Sequence, residues 1–107
     1  MMPFIKICGI RKYDHVRSAQ KNGALWYGLV FHKKSPRYVD LQWAERIIRK
    51  SERTIHPIAV TVDPDESLVK NLIDIGIHNI QLHGNETLEY CFSLKKKFNI
   101  SKGELQK

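Results

Sequence analysis

Leu25-Trp26-Tyr27-Gly28-Leu29-Val30-Phe31 is a near-continuous apolar run of strand length. Such a run, without polar alternation, is what a strand covered on both faces requires, and strands of that kind belong to parallel sheets. On its N-terminal side, Gly23 closes a helix over Tyr13 to Asn22 that carries Val16 and Ala19 on one side. Before that, Phe4-Ile5-Lys6-Ile7-Cys8 is short and β-branched and ends at Gly9, a strand entering a tight turn. On the C-terminal side a polar loop leads to Asp40, which caps a helix with Leu41, Ala44, Ile47 and Ile48 on its apolar face. His56 to Val62 reads as a third strand. Asp63-Pro64-Asp65-Glu66 reads as a helix start, with Asp63 as cap, proline at the first helical position and Glu66 closing a capping box. That helix buries Leu68, Val69, Leu72 and Ile73 and stops at Gly76. Ile77 to Leu82 is a fourth strand, and Thr87 to Phe98 a fourth helix with Leu88, Cys91 and Leu94 inward.

The chain is therefore α/β, with four strand–helix units over residues 1–98 and a polar, basic tail over 99–107 in which no fifth strand is visible. Helical crossovers between strands imply a parallel sheet. Repeats of this size fit an open doubly wound sheet or a piece of a β/α barrel, and periodicity alone does not choose between them.

At 107 residues the sequence has the size of one domain with a modest core. No segment reaches the roughly 20 apolar residues of a membrane helix, and no secretory signal is read, so no membrane partner and a cytoplasmic location are expected. Cys8 and Cys91 lack metal-ligand spacing and disulfide density, which predicts two free thiols and no metal. The formal charge of +7 raises the question of nucleic acid. Its carriers are dispersed, however: Lys33, Lys34 and Arg37 in one loop, Arg46, Arg49, Lys50 and Arg53 around one helix, Lys95 to Lys97 in another. Dispersed helix cations are usually a solvated face, so no nucleic-acid partner is expected. A positive field also suits an anionic phosphate substrate.

Four stretches at strand ends carry a more specific signal. Lys6-Ile7-Cys8-Gly9-Ile10, Gly28 to Val39 with its Ser35-Pro36-Arg37, Val60-Thr61-Val62-Asp63-Pro64, and Gln81-Leu82-His83-Gly84-Asn85-Glu86 stand in that order. Together they resemble the phosphoribosylanthranilate isomerases, over residues 4 to about 95. The resemblance implies a TIM barrel of which about four of eight units are present, a half barrel. It implies an Amadori rearrangement in tryptophan biosynthesis, converting N-(5-phosphoribosyl)anthranilate to the 1-deoxyribulose aminoketose phosphate without metal or organic cofactor. By the same resemblance Cys8 is the base that removes the sugar C2 proton, and Arg37 binds the anthranilate carboxylate. A thiolate at a barrel mouth near cations is a credible base, and a guanidinium suits a carboxylate. Outside such a motif, an isolated cysteine is usually a small buried hydrophobe and an arginine a surface residue answering a nearby carboxylate. His83 is expected at the substrate mouth, with Gln81 sharing its face, although a histidine bound to the barrel backbone is as reasonable. His32, Lys33 and Lys34 read as a solvated loop, and Cys91 as packing.

The family's general acid is an aspartate ending the fifth strand, and this sequence has no aspartate after Asp74. The segments that hold the substrate phosphate late in the barrel have no counterpart either. A half barrel would leave its first and fourth strands as unpaired edges. Such a chain is expected to self-associate, to close on a C-terminal half or to aggregate, with little or no isomerase activity by itself. The competing readings are a non-catalytic half barrel serving as remnant or assembly module, and a basic module binding phosphates through Lys33, Lys34, Arg37 and Tyr38.

Overall fold

The computed structural model describes residues 6–51, 54–82, 84, 86–97 and 105–106. The order is β1 (Lys6–Cys8), α1 (Tyr13–Lys21), β2 (Trp26–Val30), α2 (Leu41–Lys50), β3 (His56–Thr61), α3 (Glu66–Asp74), β4 (Asn79–Leu82), α4 (Leu88–Lys97) and β5 (Leu105–Gln106). Every strand pairs in parallel with the next, giving the sheet order β1-β2-β3-β4-β5. This settles the choice that periodicity left open. A doubly wound sheet reverses its winding direction at a switch point, whereas here each crossover advances the same way. Right-handed crossovers that all advance one way put every helix on one face. The result is the β/α winding of a barrel, present as a half barrel.

The register divides the strand residues into two sets. Tyr27, Leu29, Ala59, Thr61, Ile80 and Leu82 alternate on one face and are all buried. The helices meet that face with Val16, Ala19, Ala44, Ile47, Val69, Leu72 and Leu94, making one continuous core. The opposite face carries Trp26, Val30, Val60, Asn79 and Gln81, all half-buried, and His56, which is exposed. Ile58 is buried on that second face but stands outside the main core cluster. In a closed barrel this second face is the interior.

Local chemistry explains the element ends. The Asp40 carboxylate accepts the Trp43 N–H at 2.7 Å, the expected cap of α2. The cap of α3 is Asp65, which accepts the Leu68 N–H at 2.8 Å, and not Asp63. Asp63 sits at φ 43 in the turn after β3, with its own N–H bonded to Glu86, so Pro64 precedes the cap and no capping box forms. The second correction concerns the tail. Leu105 and Gln106 pair with Ile80 and Gln81, so a fifth strand exists where none was expected, and the edge is β5 and not β4. Two residues show no period in a sequence, while an open strand edge offers unmet backbone groups to any extended segment nearby. Phe4, Ile5 and Phe98, included in the expected elements, lie outside the described residues, as do the side chains of Leu88 and Cys91.

Tyr27 is fully buried under α2, its hydroxyl donating weakly to Ser51 Oγ at 3.5 Å. Burial raises the phenol above its usual 10.0, and the Ser51 hydrogen bond partly opposes the shift. A raised folded-state value means that this stability is intact below pH about 10 and lost as pH climbs toward the folded value. Thermal unfolding above pH about 10 should therefore decline more steeply in the wild type than in Tyr27→Phe. Parallel curves for the two proteins would contradict this account.

Candidate active site

Strand β1 brings residue 8 level with Gly28, which in turn stands level with Ile58 of β3. Residue 8 closes its strand at the C-terminal end, and its side chain lies outside the described residues. Gly9 follows at φ +82, and the N–H groups of Gly9 and Ile10 both donate to the Gly28 carbonyl at 3.0 Å. This tight turn ends the strand.

The loop after β2 folds back toward that turn. Val39 N–H returns to the Val30 carbonyl at 3.0 Å, Tyr38 N–H donates to Ser35 O at 3.2 Å, and Arg37 N–H donates to Ser35 Oγ at 3.1 Å. So held, Arg37 lays its side chain across Gly9. A Cβ on residue 9 would collide with Arg37 Cδ and stand 3.0 Å from Nη1 and 3.1 Å from Nε. Arg37, singled out in sequence, thus crosses the turn that follows residue 8, and this turn needs glycine both for its left-handed backbone and for space. The two ion pairs recorded among the described residues, Glu45–Arg49 and Lys70–Asp74, do not involve Arg37. Gly9→Ala should destabilise the chain by about 1–2 kcal/mol from the left-handed backbone alone, plus the collision. Combining it with Arg37→Ala should recover only the collision part in denaturant titrations. Full recovery would mean that the backbone carries no strain.

Gln81 is half-buried on the same face, one rung further along, level with Val60. Its carbonyl accepts the Thr61 hydroxyl at 3.0 Å. His83 lies outside the described residues. His32 is half-buried, and Lys33 and Lys34 are exposed, as a solvated loop requires.

Sequence reasoning gave no role to the corner joining β3 to β4. The buried Glu86 accepts the Asp63 N–H at 2.8 Å, and Tyr90 donates its hydroxyl to the Pro64 carbonyl at 2.6 Å. Gly84 fits against the Asp63 carboxylate, whose Oδ1 would be 2.5 Å from a Cβ there. These contacts tie the turn after β3 to the segment that leads from β4 into α4. The signal was present, since Glu86 closes a quoted motif, but an acidic residue two positions past a glycine also reads as an ordinary helix entry. Among the described residues no group of three His, Cys, Asp or Glu could hold a metal ion, and no helix is long and apolar enough to cross a membrane. The chemistry offered is a guanidinium laid across the turn that ends β1.

The family model described as N-(5'-phosphoribosyl)anthranilate (PRA) isomerase matches residues 5–104. The chain belongs to that isomerase family. The isomerase of Zymomonas mobilis subsp. pomaceae is 40% identical over 93 residues, covering 87% of this chain and 44% of its own. A phosphoribosylanthranilate isomerase solved in complex with reduced 1-(o-carboxyphenylamino)-1-deoxyribulose 5-phosphate superimposes at TM-score 0.84 and 28% identity, covering 90% of this chain and 50% of that one. The Thermotoga maritima isomerase superimposes equally well, at TM-score 0.84 and 28% identity over 90% of this chain and 47% of its own. The chain spans about half the length of the isomerases it matches.

Proposed function

We propose that this chain supplies the N-terminal half of a phosphoribosylanthranilate isomerase active site and works when a C-terminal half completes the barrel. The observation that carries the reading is that Arg37 lies across the Gly9 turn that directly follows residue 8. In the proposed reaction an acid protonates the ribose ring oxygen and the C1–O bond breaks, leaving an iminium conjugated to the anthranilate nitrogen. The Cys8 thiolate then takes the C2 proton, and the electron pair of that C–H bond neutralises the iminium to give an enolamine. Tautomerisation of the enolamine yields the aminoketose. Arg37 holds the anthranilate carboxylate through paired hydrogen bonds, which fixes the sugar carbon above residue 8. Gln81 and His83 line the same mouth and contact the substrate. The acid and the phosphate site come from the other half, so the substrate is a small phosphorylated molecule, no cofactor is required, and the work is done in the cytoplasm.

A C-terminal half is the favoured partner, with a second copy of the chain as the substitute when none is supplied. The test is growth of a tryptophan-requiring strain that lacks the isomerase. The chain with a C-terminal half from a relative should restore growth, and Cys8→Ala should abolish that rescue. Equal growth with and without Cys8 would leave the non-catalytic assembly module as the correct reading.

A further inference from the structure

Two open cavities that share lining residues lie between α1, α2 and the loops that lead into them. One has a volume of about 740 Å³ and the other about 390 Å³, and Lys12, Trp43 and Arg46 line both. Arg11 and His15 border the larger and Lys50 the smaller. The indole of Trp43 is 44% exposed, yet it is not loose: its Nε1–H donates to the Arg11 carbonyl at 2.5 Å, which fixes the ring. Arg11, Lys12, Arg46 and Lys50 therefore line a groove that also presents one pinned indole. Two carboxylates share the groove: Asp40, whose Oδ1 takes the Trp43 N–H as helix cap, and Asp14 at the far end. Neither recorded ion pair among the described residues involves Arg11, Lys12, Arg46 or Lys50. The isomerase chemistry uses none of these residues.

From this we propose that the α1–α2 groove binds a ring-bearing phosphate of the nucleotide class, its ring stacked on Trp43 and its phosphates held by Lys12, Arg11 and Arg46. A cavity of this size suits a small molecule. A fixed aromatic face beside cations is the arrangement that captures a base and its phosphate together, through stacking and charge. A purely acidic peptide would use the cations and leave the indole idle. The groove lies between consecutive helices over β1, β2 and β3. A half docking on the β1 edge and, once β5 is displaced, on the β4 edge leaves the α1–α2 groove open, so the site stands independently of the isomerase reading.

The test is to titrate ADP into the whole 107-residue chain, following tryptophan fluorescence and heat, with pyrophosphate, adenosine and a tetraglutamate peptide as controls. ADP should quench fluorescence saturably and bind more tightly than pyrophosphate or adenosine. Trp43→Leu should weaken ADP by about 10-fold or more, and Arg46→Glu at least as much, while Trp26→Phe changes nothing. Lys12→Glu, on the exposed start of α1, gives a second charge reversal should either variant lose its circular dichroism. The proposal is overturned if ADP shows no saturable binding at low-millimolar concentration, or if the glutamate peptide binds better than ADP. It is equally overturned if Arg37→Ala abolishes binding and Arg46→Glu does not, which would place the anion at the barrel mouth.

Discussion

A C-terminal half-barrel supplied in trans should raise isomerase activity from background to a rate measurable in a purified complex, and Cys8→Ala in that complex should lower kcat by about 10²- to 10⁴-fold. The chain alone should stay at background. General base catalysis by a positioned side chain has that magnitude, and it is lost only if the base touches the reacting carbon. A structural cysteine at a strand end would instead lower stability and leave kcat within a small factor. Comparing kcat with the denaturation midpoint of the same variant separates the two roles. Loss of stability with unchanged kcat would rule out Cys8 as the base while leaving the family assignment intact, since that rests on the match over residues 5–104.

Leu29→Ala should be the most damaging of the simple core truncations, costing about 2–5 kcal/mol. Leu29 is fully buried in the middle of β2, which has neighbours on both sides and helices over it. A domain of this size holds about 5–15 kcal/mol in total, and a half barrel packs only one face of its sheet. Urea titration should show the midpoint collapsing, with the variant partly unfolded before denaturant is added. Val60→Ala, at the next strand on the bare half-buried face, should cost much less in the chain alone and more once a second half covers it. If both truncations cost the same in the isolated chain, the two faces are not distinguished as the register indicates.

Those two faces were partly visible in the sequence. The apolar run from Leu25 to Phe31 announced a strand that expects cover on both sides, and the helix faces at Ala44 and Ile47 or Val69 and Leu72 gave one of the two covers. Which way the chain winds was not legible, because handedness and strand order are properties of the whole sheet and leave no mark on any one segment. The capping of α3 was misassigned for a related reason. Asp63 and Asp65 are equivalent by local rules, and only the long-range bond from Glu86 to the Asp63 N–H decides which one is used. At the site, Cys8 and Arg37 could be named from motifs, but the lie of Arg37 across Gly9 could not. It depends on a loop from β2 crossing a turn that follows β1, made possible by the missing Cβ of Gly9. The groove around Trp43 escaped notice because its cations, counted along the chain, look like the ordinary wet side of two helices.

The short pairing of Leu105 and Gln106 with β4 has a consequence for assembly. Any partner that would finish the cylinder finds that berth already taken and must evict its occupant before zipping on. Each rung is a modest net contribution of roughly 0.5–1.5 kcal/mol, so the latch is light. It is enough to discourage stray extended segments, and too weak to resist an incoming full-length strand that brings its own helix.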